Sequence, residues 1–271
     1  LPLFTDDSAD PALEGPVLCP LPQFGLLRAE GEDATNFLHN MGSNDLKPLK
    51  PGAAQWNSLS GPKGRMLANF LVSRDEAGYG LILSADLTPS IQKKLSMYVL
   101  RAKLKVTDHS DTQLLLGLGG QGAREVLARA GLPAPELAFE AGSVEGIRVL
   151  AYPGRAARFL LIVPADRLED CWERLCVAGS RPVGNAWWQR EDILAGLPWI
   201  TAATQDEFIA QMINYELLGG VNFQKGCYPG QEIIARTQHL GRLKKRMYLA
   251  RVEGPASPGQ DLYSPGFGEQ S

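Results

Sequence analysis

Apolar residues recur along this chain in short runs, each followed by a turn and then a stretch with helical spacing. Leu26-Leu27 leads to Gly31, Ala34 and Leu38, and 89 residues later Leu115-Leu116 leads to Gly120, Ala123 and Leu127. Each reads as a strand, a turn and a short amphipathic helix. A second pair stands 80 residues apart: Leu81-Ile82-Leu83-Ser84-Ala85-Asp86 reaching Leu95, and Leu161-Ile162-Val163-Pro164-Ala165-Asp166 reaching Leu175. Here a strand runs into an acidic helix start, which suits the free N–H groups of a first turn. The recurrences mean either two related strand–helix halves or a coincidence of short apolar runs.

Met66–Val72, Arg148–Tyr152 and Arg158–Leu160 are further strand candidates. Strands and helices mix without a strict βαβ rhythm, which predicts an α+β fold with antiparallel or mixed sheets. Residues 1–22 are Pro-rich and acidic and read as a loose N-terminal arm. Residues 23–245 read as two interleaved α+β modules. From Met247-Tyr248-Leu249-Ala250-Arg251-Val252 onward, strand and Gly/Pro turns alternate, and 246–271 reads as the start of an incomplete C-terminal β-domain.

The 271 residues are 44% apolar and 21% charged, enough for a real core and too mixed for a disordered chain or a coiled coil. The net charge of −3 argues against wholesale coating of nucleic acid and leaves room for a local basic patch. No stretch approaches the roughly 18 apolar residues of a membrane helix. The opening Leu1-Pro2-Leu3-Phe4 shows no basic n-region, so no signal peptide is visible, and without an initiator Met it reads as starting inside the gene product. Cys19, Cys171, Cys176 and Cys227 are too scattered for a disulfide framework, so a cytoplasmic protein with reduced thiols is expected.

The densest chemistry lies in Asn222-Phe223-Gln224-Lys225-Gly226-Cys227-Tyr228-Pro229-Gly230-Gln231-Glu232-Ile233. Two glycines and a proline make a tight turn, and Gln231-Glu232 opens a helix. A thiol beside a lysine and ahead of a helix N-terminus is placed where its pKa falls. Free N–H groups there also accept an anion. The polar, Gly-rich surroundings of Cys227 favour function over packing.

Lys225-Gly226-Cys227-Tyr228-Pro229-Gly230-Gln231-Glu232 resembles the signature of the YgfZ-type folate-binding proteins, relatives of the glycine-cleavage aminomethyltransferase (T-protein). Other pieces agree in order. Gly31-Glu32-Asp33-Ala34 resembles the family's opening and Lys63-Gly64-Arg65-Met66 its central turn. Ala195-Gly196-Leu197-Pro198-Trp199-Ile200 and Phe208-Ile209-Ala210-Gln211 resemble the run before the signature. The resemblance covers about residues 24–252. It implies a T-protein-like ring of modules around a central hole that binds tetrahydrofolate, closed by a C-terminal β-barrel domain. It also implies service to iron–sulfur enzymes, including one of tRNA thiomethylation. It makes Cys227 the functional thiol, with Lys225 its electrostatic neighbour. Folate contacts would come from Tyr228, Gln231, Glu232, Arg236, Asp192 and Asn69.

Two departures bear on chemistry. The transferases carry an aspartate pair in the strand after the central turn; here that strand reads Leu67-Ala68-Asn69-Phe70. Their pterin-binding glutamate falls on Leu194, with Asp192 and Glu191 nearby. A pterin needs a carboxylate or amide for its amino group and ring N–H, and Asp192 or Glu191 could supply it.

Arg236, Arg242, Lys244, Lys245 and Arg246 join Lys225 against the single Glu232, so 225–246 nets +5. That is an anion site for a folate tail, a weak RNA contact through 236–246, or a solvated helix end. Gly117-Leu118-Gly119-Gly120-Gln121-Gly122 matches G-x-G-x-x-G but lacks the acidic partner strand of a dinucleotide site, and its match to Gly31 makes it a turn of the repeat. His39, His109 and His239 share no metal spacing with any Cys, and at least one of Cys171 and Cys176 reads as core packing on a helix. No metal is expected. Trp187-Trp188 and Trp199 read as core first and pterin platform second.

The expected function is that of a monomeric, cytoplasmic, tetrahydrofolate-binding accessory protein for iron–sulfur enzymes. A folate-dependent aminomethyltransferase and a non-enzymatic RNA- or protein-binding scaffold are the alternatives.

Overall fold

A computed structural model describes residues 15–241, 243, 245–254, 260, 261 and 263. In chain order its elements are β1 (Val17–Pro20), β2 (Phe24–Glu30), α1 (Ala34–Met41), β3 (Ala53–Ser60), β4 (Met66–Asp75), β5 (Gly78–Ser84), α2 (Thr88–Val99), β6 (Lys105–Asp108), β7 (Gln113–Gly119), α3 (Ala123–Arg129), β8 (Ala141–Val144), β9 (Ile147–Tyr152), β10 (Arg158–Pro164), α4 (Leu168–Val177), β11 (Arg181–Pro182), α5 (Ala186–Ala195) and α6 (Gln231–Leu240). The fold is mixed α/β. One sheet runs β11-β1-β7-β10-β9-β8 and the other β3-β4-β5-β2-β6.

The two apolar recurrences are structural. β2 and β7 start 89 residues apart, and α1 and α3 repeat the offset; β5 and β10, with α2 and α4 behind them, repeat at 80. β2 pairs antiparallel with β5, and β7 with β10. The first strands are exchanged. β1 precedes β2 in the chain yet pairs with β7, while β6 precedes β7 yet pairs with β2. Each half thus completes the other's sheet.

That exchange corrects the picture of the opening segment. Val17, Leu18 and Cys19 are buried in β1, so the arm does not stay loose through residue 22; its earlier part, 1–14, lies outside the described residues. Prolines at both ends of the strand still allow pairing, because its interior donors are Val17, Leu18 and Cys19. At the other terminus, no strand forms after β11 among the described residues, and no closed barrel is present among them. Met247 instead donates its N–H to the Met212 carbonyl and accepts from Asn214 Nδ2, a point attachment without a ladder. Part of the expected β-segment, 255–259, 262 and 264–271, is outside the described residues.

One apolar core fills the space between the sheets around Trp56, Trp188 and Tyr215; a second lies where α3 and α4 cover the outer face of the first sheet. Full burial of each such side chain contributes roughly 1.5–3 kcal/mol. Between the sheets, Asp75 of β4 accepts from Arg28 of β2 at 2.8 Å and from Arg148 of β9. No helix among the described residues is long and apolar enough to cross a membrane.

Candidate functional site

Between α5, the run after it and the facing ends of β2 and β5, a cavity of about 640 Å³ opens, within the usual range for a small-molecule site. Gln23 and Phe24 at the start of β2, Asp192 and Ile193 of α5, the run Gly196–Thr201, Met212, Ile213 and residues 245–249 wall it. The walls are mainly apolar. Phe24 and Trp199 place their ring centroids 4.4 Å apart.

Among the polar residues of the lining, two are placed for recognition. Asp192 is buried and accepts from Arg158 Nη1 at 2.7 Å and Trp199 Nε1 at 3.1 Å. Burial pushes its carboxyl up to about 6, against the pull of Arg158. Arg158 is itself held with its guanidinium 4.8 Å from the Tyr152 and Trp188 ring centroids. The second group is Gln23. Its Oε1 accepts from Asn185 Nδ2 at 3.3 Å, and its buried Nε2 has no hydrogen-bond partner. A buried donor without a partner costs about 1–3 kcal/mol unless something enters to accept from it.

Of the two carboxylates near the expected pterin position, Asp192 therefore faces the cavity, while Glu191 pairs with Arg190 at 2.6 Å. Asn69 sits one layer behind. Its Nδ2 donates to the Pro198 carbonyl at 2.8 Å and its Oδ1 accepts from the Ile200 N–H at 2.7 Å. The amide that occupies the transferases' acidic strand is a clamp on the cavity wall.

The signature lies beside this cavity rather than in it. Gly230 takes φ +81°, and a Cβ there would stand 2.4 Å from the Gly61 carbonyl and 2.8 Å from Gly64 Cα. Only glycine lets the signature meet the 61–64 turn backbone to backbone. Lys225 is buried, and its ammonium donates to the carbonyls of His39 and Gly42 at the end of α1, with Tyr228's ring centroid 4.8 Å away. A cation at a helix C-terminus satisfies carbonyls that have no partner within the helix. Desolvation lowers the lysine to about 8. Cys227 is exposed at the tip of the turn. Gln231 donates to the Lys225 carbonyl at 3.4 Å, and Glu232 and Arg236 are exposed on α6.

Signature and cavity touch through the 3-10 turn Ala210–Ile213. Gln211 Nε2 donates to the Ile234 carbonyl of α6 at 2.8 Å, while Met212 and Ile213 face the cavity. Among the described members of the basic segment, Arg246 pairs with Glu216 at 2.6 Å; Arg242 and Lys244 lie outside the described residues.

Sequence reasoning missed Gln23, which opens the region read as two α+β modules and carries no motif. It read the glycine-rich run as a turn, whereas Gly117 and Gly119 stand in β7 and only the residues after them turn. A Cβ at Gly117 would stand 2.4 Å from the Trp188 ring, and one at Gly119 2.5 Å from Trp187. The glycines make room for tryptophans. Among the described residues no group of three His, Cys, Asp or Glu side chains could hold a metal ion.

Residues 14–186 match the model of the GCVT N-terminal domain family. The tRNA-modifying protein YgfZ of Pectobacterium carotovorum is 29% identical over 268 residues, covering 97% of this chain and 79% of that one. The protein of the same name from Klebsiella pneumoniae is 30% identical over 250 residues, covering 90% and 75%. Among solved structures, the glycine cleavage system aminomethyltransferase T of Bartonella henselae superposes with a TM-score of 0.73 at 20% identity. That match covers 83% of this chain and 64% of the transferase, so the chain spans under two thirds of its length and the likeness concerns fold.

Proposed function

We propose, for a chain that belongs to the GCVT N-terminal domain family and to the YgfZ proteins, the role of a tetrahydrofolate-binding accessory protein in tRNA modification. The observation that carries this reading is the apolar cavity whose lining includes Asp192 and Gln23, the latter with an unpartnered amide nitrogen. They fit a pterin, which offers N–H donors to a carboxylate and an acceptor to an amide N–H. Phe24 and Trp199 would hold its ring, and Lys245 at the mouth would take a carboxylate tail. Tetrahydrofolate, when bound, supplies a carrier for one-carbon groups.

The relatives' names carry tRNA modification, and the family resemblance adds iron–sulfur enzymes as clients in the cytoplasm. Cys227 is the candidate thiol, exposed on a turn that Lys225 fastens to α1. An accessory role is favoured over aminomethyl transfer because Asn69 spends both ends of its amide on backbone where the transferases carry acid.

The test is tetrahydrofolate titration followed by tryptophan fluorescence and melting temperature. At 100 times its dissociation constant the ligand adds about 2.7 kcal/mol of stability. No shift at millimolar tetrahydrofolate removes the cofactor from this account. Cys227→Ala should melt with the wild type yet fail to restore tRNA modification in cells lacking the protein; full restoration removes the thiol.

A further inference from the structure

The last turn of α2 and the residue that follows it expose Met97 (67%), Tyr98 (51%) and Leu100 (87%) at one corner of the molecule. Around them stand Lys93, Lys94, Arg101 and Lys105, whose side chains make no hydrogen bond or ion pair among the described residues. Lys103 at the same corner is paired with Glu32 at 3.0 Å, and Asp33 is spent on the Lys103 N–H. Leu100 has φ +45° and ψ −104°, a backbone state that favours glycine. So a residue that folding would replace with glycine is instead a leucine held out in water. Strain of this kind costs on the order of 1 kcal/mol and persists where something other than the fold retains it.

The repeat supplies an internal control. α4 is the counterpart of α2, and its chain turns at Gly179 (φ +105°), with Val177 as the exposed aliphatic of its last turn. Its charges are neutralised locally: Arg174 lies 3.2 Å from Glu145 and 3.4 Å from Asp170, and Arg167 lies 2.7 Å from Glu145. The same architecture therefore needs neither the free cations nor the exposed apolar ridge of α2.

We propose that this corner docks a single-stranded loop of a structured RNA. The inference rests on the tRNA-linked role above and names the surface that meets the RNA. Four unpaired cations suit phosphates, Tyr98 offers a ring for an unstacked base, and the Met97–Leu100 ridge packs beneath its neighbour. A membrane surface fits less well. The long apolar face of α2, Ile91 and Leu95, is already buried against the sheet, which leaves one turn for lipid. The corner competes with the 236–246 segment for this role, and there Arg246 is tied to Glu216.

The full chain is titrated into a fluorescently labelled, unmodified tRNA transcript and followed by anisotropy between 50 and 200 mM salt. Binding should weaken with salt with a log–log slope of about −3, as expected for four cations on single-stranded phosphates. Lys93→Glu with Arg101→Glu should weaken binding at least tenfold at 100 mM salt and flatten the slope, and Tyr98→Ala should weaken it severalfold. Arg155→Glu and Arg236→Glu should each stay within twofold. All variants should melt with the wild type, and Lys93→Glu/Arg101→Glu, Tyr98→Ala and Arg155→Glu should bind tetrahydrofolate equally, so loss of folate binding tests the earlier reading and loss of RNA binding tests this one. The proposal is overturned by no tRNA binding in the wild type, by binding that Arg236→Glu abolishes and Lys93→Glu/Arg101→Glu spares, or by preference for vesicles of three parts phosphatidylcholine to one part phosphatidylglycerol.

Discussion

The two halves of this molecule share a skeleton and differ in what closes it. In the second half, Arg174 of α4 donates to the Ala130 carbonyl at the end of α3, at 3.2 Å from Nε and 2.7 Å from Nη2. The counterpart of Arg174 in the first half is Lys94, which makes no such bond; Lys225, far along the chain, caps α1 instead. In the second half, β10 opens with Arg158, buried on Asp192; its counterpart opening β5 is Gly78. The comparison teaches that the repeat builds the frame, while the segment after it supplies the closing groups asymmetrically. One half is locked to the signature and the other to the cavity.

Removing the second half's lock gives the largest expected effect. Arg158→Ala leaves the Asp192 carboxylate buried and unpaired, since side-chain exposures are 1% and 6%. Breaking such a pair from one side costs about 3–5 kcal/mol. Chemical denaturation should show that loss at pH 7. A cost under 1 kcal/mol would mean that Asp192 is reached by water and that the two halves close alike.

The first half's lock should be weaker but remote. Lys225→Met keeps the aliphatic stem and removes charge-assisted hydrogen bonds to two carbonyls, for about 2 kcal/mol. Arg174→Met, at a partly exposed site, should cost about half that. Hydrogen exchange sharpens the contrast. Loss of Lys225 should loosen both α1 and the 222–231 turn, whereas loss of Arg174 should loosen α3 and α4 together. Equal, purely local effects would show that the signature is not docked through its lysine.

Most of this frame was legible in the sequence, because it follows from local patterning. The offsets of 89 and 80 located the paired strands and helices, and the run from Gln231 located α6. What stayed hidden was partnership across the chain. Nothing in Val17-Leu18-Cys19-Pro20 says that this strand pairs with β7, 98 residues on from Cys19 to Gly117. A proline-rich prelude looks loose until its partner is known. Lys225 stood next to Cys227 in sequence, and only the fold shows that its ammonium reaches α1. Asn69 stood out only through the family resemblance and Gln23 not at all, since an isolated amide signals nothing until the backbone or cavity it faces is in place.

The pH dependence of ligand binding tests whether the cavity belongs to the second half's lock. Asp192 titrates at about 6, above the ordinary 3.8, because burial disfavours its charge. Above pH 6 it is a carboxylate able to accept a pterin N–H. Below pH 6, tetrahydrofolate affinity should fall by up to tenfold per unit, and Asp192→Asn should flatten the profile. Stability has the opposite sign. A folded-state pKa above the unfolded one means that the folded protein gains as pH falls from about 6 towards 3.8. Affinity and stability that fall together below pH 6 would trace the titration to another group.

The smallest effect concerns the two helix ends themselves. Leu100 and the neighbourhood of Gly179 follow equivalent helices, yet only the second uses glycine where φ turns positive. Leu100→Gly relieves the strained backbone and withdraws an exposed apolar chain, at the cost of greater freedom in the unfolded chain. Strain relief of about 1 kcal/mol less a glycine entropy term of about 0.5 leaves a gain near 0.5 kcal/mol. Differential scanning calorimetry should show a slightly higher melting temperature. The same variant should bind the tRNA transcript a few-fold more weakly, because the ridge beside Tyr98 is shortened. Stability and binding would then move in opposite directions at one position. If Leu100→Gly lowers the melting temperature instead, the leucine is serving the fold, and the contrast between the α2 and α4 corners loses its functional meaning.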